Sequence, residues 1–158
     1  MHIEKASDKG NPGYAGGFAE ASAAANHFTK SITTRVRYQE TDKGNRVYHA
    51  QYLVWLDMAR TEYLRSHGID YARFEEEGYF LVVKKVEVDY HFPAQFDDLI
   101  DIVINRIERQ KIRVDFYYDI VHNSSKKLLA SAYTQLVCIN KKGKPIKIPE
   151  KMISILSD

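Results

Sequence analysis

The sequence predicts an α+β domain in which one five-stranded antiparallel sheet wraps around one central helix. Two observations predict it. The hydrophobic periods run strand, helix and then four strands in succession. The apolar face of the helix is also so broad that a surrounding sheet is needed to cover it. A length of 158 residues fits one ordinary domain and leaves little room for a second core.

The elements justify that order one by one. Residues 1–30 hold Gly10, Gly13, Gly16 and Gly17 and an Ala-rich run without apolar periodicity, so they are expected to form a flexible N-terminal extension to a domain spanning 31–158. Ile32, Thr34, Val36 and Tyr38 alternate with Thr33, Arg35 and Arg37, the period of two of a strand over 32–38. Asp42, Gly44 and Asn45 break the pattern and mark a loop. Tyr52, Trp55, Leu56, Ala59 and Tyr63 then recur at three- and four-residue steps, predicting a helix over 49–67 that stops at Gly68. Leu53, Val54, Met58 and Leu64 widen its apolar face, so most of the helix is expected to be enveloped. Asp70 caps a short second helix that ends before Gly78. Four strands follow, at 79–92, 99–107, 112–121 and 128–140. The clearest places Ile112, Val114, Phe116, Tyr118 and Ile120 on one face. Pro149 is expected at the first position of a short C-terminal helix. Apolar residues on both faces of the strands near the sheet edges predict association of chains, at least as a homodimer.

Composition excludes several classes of function. A formal net charge of +2 is too small to build a phosphate-backbone surface, so no nucleic-acid partner is expected. No run approaches the roughly 18 apolar residues of a membrane span, and no export signal is expected. The single cysteine, Cys138, can form neither an internal disulfide nor a thiolate metal cluster, which makes a reducing, cytoplasmic location the simplest expectation. Gly-x-Ser-x-Gly, Walker, Gly-x-Gly-x-x-Gly and His-Glu-x-x-His motifs are all missing.

The segment that carries chemistry joins the first strand to the helix: Tyr38-Gln39-Glu40-Thr41-Asp42-Lys43-Gly44-Asn45-Arg46-Val47-Tyr48-His49-Ala50-Gln51-Tyr52. It places Asp42 beside backbone N–H groups at His49 and just after it, which a helix start leaves without partners. Such donors can hold a developing oxyanion while a carboxylate attacks or deprotonates water. The plainer alternative is that Asp42 only closes an Asx-turn and His49 only packs against the helix start.

These residues resemble the hotdog-fold acyl-CoA thioesterases of the 4-hydroxybenzoyl-CoA thioesterase and YbgC-like family over nearly all of 31–158. Tyr38, Thr41, Asp42, Val47, Tyr48, His49, Tyr52, Ala59, Arg60 and Glu62 match its Tyr-x-Asp-Thr-Asp, Val-Tyr-His-x-x-Tyr and Ala-Arg-x-Glu motifs, and Phe92-Pro93-Ala94 with Asp97-Asp98 matches a later turn. The resemblance implies a hotdog fold that hydrolyses a thioester to a free acid and CoA, without metal or redox cofactor. It implies Asp42 as nucleophile or general base, and His49 as the residue whose N–H polarises the carbonyl. Tyr38 and Tyr48 would line the site, and Val82 would reach it from a second subunit of a homodimer or homotetramer. Arg109 and Lys111, at the turn between the third and fourth strands, would meet the phosphates of acyl-CoA. An acyl-carrier-protein thioesterase and a non-catalytic acyl-thioester-binding protein on the same fold remain alternatives. Glu40, Asn45 and Arg46 depart from the family pattern. Asn45 is expected to tolerate a left-handed backbone, and Arg46 to clash with an acyl group, pair with Glu40 or meet an anionic substrate.

Overall fold

The computed structural model describes residues 31–156, so the expected extension at 1–30 lies outside the described residues. Five strands, β1 (Ser31–Arg35), β2 (Phe80–Tyr90), β3 (Leu99–Arg109), β4 (Arg113–His122) and β5 (Leu128–Ile139), form one antiparallel sheet in the order β1-β3-β4-β5-β2. Helix α1 (Gln51–Ser66) packs on one face, with α2 (Tyr71–Glu76) beyond it and α3 (Glu150–Ile153) near the end of the chain. The expected architecture is present, with β1 and β2 as its two edges.

The core lies between α1 and the inner sheet face. Tyr52, Trp55, Leu56, Ala59, Tyr63 and Leu64 of the helix meet Ile100, Ile102 and Ile104 of β3, Val114, Phe116, Tyr118 and Ile120 of β4, and Ala130, Ala132, Leu136 and Cys138 of β5. The alternation read for β4 therefore holds from Val114 to Ile120, while Ile112 precedes the strand and stays exposed. Strand β3 changes phase at a bulge between Ile104 and Arg106. The extra residue, Asn105, lets Ile107 follow Ile104 into the interior. A second bulge, between Val83 and Lys85, interrupts the free edge β2.

Three expectations need correction. The first strand stops at Arg35, and Tyr38–Glu40 form a turn of 3-10 helix because the Glu40 side chain folds back onto the Arg37 N–H. Helix α1 is enveloped on one side only. Leu53, Val54 and Met58 remain exposed, while Tyr52, Trp55, Leu56 and Ala59 are buried. Pro149 precedes α3 in an extended conformation and occupies the capping position, one residue earlier than expected. The other boundaries follow the sequence closely: Asp70 caps α2 by accepting from the Ala72 and Arg73 N–H groups, and Gly68 and Gly78 end their helices at φ of 81° and 94°.

Candidate active site

Between β1 and α1 the chain makes a small closed loop. Thr41 bridges Val47 in antiparallel fashion, the Asp42 N–H donates to the Arg46 carbonyl at 2.8 Å, and the Asn45 N–H donates to the Asp42 carbonyl at 3.1 Å. Asn45 takes φ of 56°, so asparagine supplies the left-handed position that the loop needs. Two bonds tie the loop to the body of the domain: Val47 N–H to the Ala94 carbonyl and Tyr48 N–H to the Glu40 carbonyl, at 2.8 and 2.9 Å.

Asp42 lies exposed on this loop. Its Oδ1 accepts from the Gly44 N–H at 2.7 Å, so the Asx-turn does form, and Oδ2 has no partner among the described residues. A Cβ on Gly44 would come within 3.0 Å of Oδ1, so the glycine leaves room for the carboxylate.

Helix α1 starts without a side-chain cap at Ala50. The Tyr48 carbonyl accepts from Gln51 N–H at 2.9 Å and the Ala50 carbonyl from Leu53 N–H at 3.1 Å, whereas the N–H groups of His49 and Ala50 have no hydrogen-bond partner among the described residues. Two adjacent free amide donors therefore open beside a loop that carries a free carboxylate oxygen, the elements of an acyl-transfer site. The His49 ring is exposed and lies against that of Tyr48 at 4.5 Å, leaving the imidazole accessible. Tyr38 is 79% exposed, with its ring edge-on to Phe96 at 5.8 Å.

Glu40 is the residue that holds this arrangement together. It is 3% exposed, and its carboxylate accepts from the Arg37 backbone N–H, the Arg37 guanidinium, Gln51 Nε2 at 3.1 Å and the indole N–H of Trp55 at 3.4 Å. Its longer side chain, compared with the aspartate of the family pattern, spans from the loop to the first turn of α1. The expected alternative of a Glu40–Arg46 pair is not formed, because Arg37 takes that place.

The remaining expected residues lie at the opposite end of the sheet. The loop that carries Asp42 adjoins the Ala94–Asp98 turn, where β3 begins. Arg109 ends that strand ten residues further on, about 33 Å away at the usual rise. Val82 pairs with Val137, which also pairs with Arg113, so Val82 sits beside the β3–β4 turn that carries Arg109 and Lys111. One chain therefore brings Asp42, His49, Tyr38 and Tyr48 to one end, and Val82, Arg109 and Lys111 to the other. The neighbouring basic residues are engaged elsewhere: Arg113 with buried Asp115, and Arg106 with Glu108 and the Tyr117 ring.

Among the described residues no group of His, Cys, Asp and Glu could hold a metal ion, and no helix is long and apolar enough to cross a membrane.

The family model of the Thioesterase-like superfamily matches residues 36–156. The chain is 35% identical over 121 residues to the acyl-CoA thioester hydrolase YbgC of Escherichia coli O6:H1, a match covering 76% of this chain and 90% of that protein. It is 33% identical over 124 residues to the acyl-CoA thioesterase YbgC of Haemophilus influenzae, covering 77% and 90%. Among solved structures, a 1,4-dihydroxy-2-naphthoyl-CoA thioesterase from Synechocystis superposes with a TM-score of 0.77 at 23% identity, over 82% of this chain and 96% of the other. The likeness identifies the helix wrapped by a five-stranded antiparallel sheet as the hotdog fold.

Proposed function

The chain belongs to the thioesterase-like superfamily, and on that premise we propose that it hydrolyses an acyl-CoA thioester with Asp42 as the catalytic carboxylate and the helix start as the oxyanion site. The observation that carries this reading is the free Oδ2 of Asp42 beside the unpartnered N–H groups of His49 and Ala50. The two donors polarise the thioester carbonyl and receive the negative charge that develops on its oxygen. In the general-base route Asp42 takes a proton from water, the hydroxide oxygen bonds to the carbonyl carbon, and the C–S bond breaks. CoA leaves as a thiolate and takes the proton back from Asp42. In the nucleophilic route the carboxylate itself attacks, CoA leaves, and water hydrolyses the resulting anhydride.

The placement of Val82, Arg109 and Lys111 supports a site shared between two copies. Strand β2 is a free edge of 11 residues that exposes Val82, Val83, Val86 and Tyr90, and α1 exposes Leu53, Val54 and Met58. A second copy pairing antiparallel along β2 about a two-fold axis brings the Val82 end of one chain to the Tyr90 end of the other, beside His49. Each site then combines Asp42 and His49 of one copy with Val82, Arg109 and Lys111 of its partner.

The decisive test is Asp42→Asn. The amide keeps the Asx-turn but cannot attack or accept a proton, so kcat for acyl-CoA hydrolysis falls by roughly 10²-fold or more while the melting temperature and KM hold. A folded variant with wild-type turnover refutes the carboxylate mechanism. A single turnover in ¹⁸O water that leaves label in Asp42 establishes the nucleophilic route, since only water attacking the Asp42 carbonyl of the anhydride puts its oxygen there.

A further inference from the structure

Each of the two free donors belongs to a peptide unit whose carbonyl is held from the other side. The His49 N–H shares its peptide with the Tyr48 carbonyl, which accepts from the Gln51 N–H inside the first helical turn. The Ala50 N–H shares its peptide with the His49 carbonyl, and that carbonyl accepts from outside the helix, from the Tyr90 hydroxyl at 2.8 Å. We infer that Tyr90 is a positioning residue for thioester hydrolysis: by donating to the His49 carbonyl it orients the His49–Ala50 peptide and strengthens the Ala50 N–H as a donor to the oxyanion.

The surroundings of Tyr90 fit this role. It is the last residue of β2, paired with Ala130, so its backbone is fixed by the sheet. Its ring stands edge-on to Tyr52 at 5.0 Å with an interplanar angle of 89°, and Tyr52 is buried, its own hydroxyl accepting from the Ala94 N–H at 3.3 Å. The ring direction is thus set by a rigid neighbour. A hydrogen bond to a carbonyl increases the peptide dipole and makes the N–H of the same unit a stronger donor. Desolvation and then the nearby Tyr52 raise the Tyr90 phenol above its ordinary range, which keeps the hydroxyl a donor across neutral pH. Tyr90 touches no reacting atom and acts through the peptide.

The inference rests on the helix start being the oxyanion site, and the experiment separates the two. Acyl-CoA hydrolysis is measured for wild type, Asp42→Asn and Tyr90→Phe, which loses one oxygen and keeps the ring contact. The expected result is a fall in kcat of about tenfold for Tyr90→Phe, the scale of one hydrogen bond, with KM within about twofold of wild type. Isotope-edited infrared spectroscopy of a ¹³C-carbonyl acyl-CoA bound to the Asp42→Asn protein adds a readout that a purely structural role would not move. Adding Tyr90→Phe returns the carbonyl band toward its frequency in free acyl-CoA. An unchanged kcat and band in Tyr90→Phe, alongside an inactive Asp42→Asn, overturn the role of Tyr90 alone. Failure of wild type to hydrolyse acyl-CoA, or full activity of folded Asp42→Asn, overturns the underlying reading instead. Should Tyr90→Phe melt early, 3-fluorotyrosine at position 90, assayed with its phenol protonated, decides: a faster kcat supports the inference and an equal one overturns it.

Discussion

Replacing Glu40 with Gln tests whether one buried carboxylate joins the Asp42 loop to the central helix. In the wild-type structure Oε2 accepts from the Arg37 backbone N–H at 2.8 Å. Oε1 accepts from Arg37 Nε and Nη2 at 3.2 and 2.7 Å, Gln51 Nε2 at 3.1 Å and Trp55 Nε1 at 3.4 Å. An amide offers one acceptor oxygen. Placed at Oε1 it keeps four donors satisfied, but its NH₂ then faces the Arg37 N–H, donor against donor. One lost bond at a site 3% exposed costs about 1–3 kcal/mol. Loss of the Arg37 ion pair adds less than about 1 kcal/mol, because the arginine side is 60% exposed. The sum, about 1–4 kcal/mol, lowers the melting temperature of a domain this size by roughly 3–15 °C. Trp55, the one tryptophan of the chain, reports directly on the contact, so urea titration is followed by its fluorescence at fixed protein concentration. The expected outcome is a lower midpoint at unchanged slope. A stability change below about 0.5 kcal/mol refutes the argument that Glu40 holds the loop and helix together.

Three further outcomes are expected. Arg109→Ala with Lys111→Ala raises KM for acyl-CoA at low salt with kcat little changed, since phosphate contacts far from the carbonyl hold ground and transition states alike. Mixing that protein with Asp42→Asn, after dissociation and reassociation, restores roughly a quarter of wild-type turnover at low substrate, because half of a random population is mixed and each mixed dimer has one intact site. No recovery refutes the shared site. Asp101 gives the pH dependence: although its burial opposes ionisation, bonds from Thr33, Asn123 and Lys126 hold its carboxyl below the ordinary range. Its contribution is therefore present above the ordinary aspartate range and is lost as pH falls through the depressed value. Urea midpoints should show Asp101→Asn less stable at neutral pH and less sensitive to acid below about pH 4; equal curves refute it.

The sheet and the helix were legible because their periods are written in apolar residues: Val114 to Ile120 alternate in the sequence and in the structure, and Trp55, Leu56 and Ala59 face the core as spacing requires. Asp70 and Gly68 were legible because capping is local chemistry. Asp42 and His49 stood out by motif. Glu40 was visible as a departure from that motif, but the sequence offered no way to see that its partners would be Gln51 and Trp55. Tyr90 falls within the strand expected over 79–92, and nothing in its spacing sets it apart there. Its bond to His49 joins positions 41 apart in the sequence, and no period encodes a contact of that kind. The exposed stripe of α1 was read as core because hydrophobicity marks a face as buried without telling whether the same chain or another one covers it.

The extra residue in β3 acts as a parity switch for everything downstream of it. Counting by twos from Ile100 through Ile104 would turn Arg106 and Glu108 toward the helix and Arg109 away from it. Asn105 inverts that count, so Ile107 turns inward, Arg106 lies over the Tyr117 ring on the far face, and Arg109 falls on the helix side with Ile107. Which of several similar cations falls on the helix side of the sheet is thus decided by an uncharged residue in the middle of the strand. Deleting Asn105 would exchange the two faces without altering a single charge.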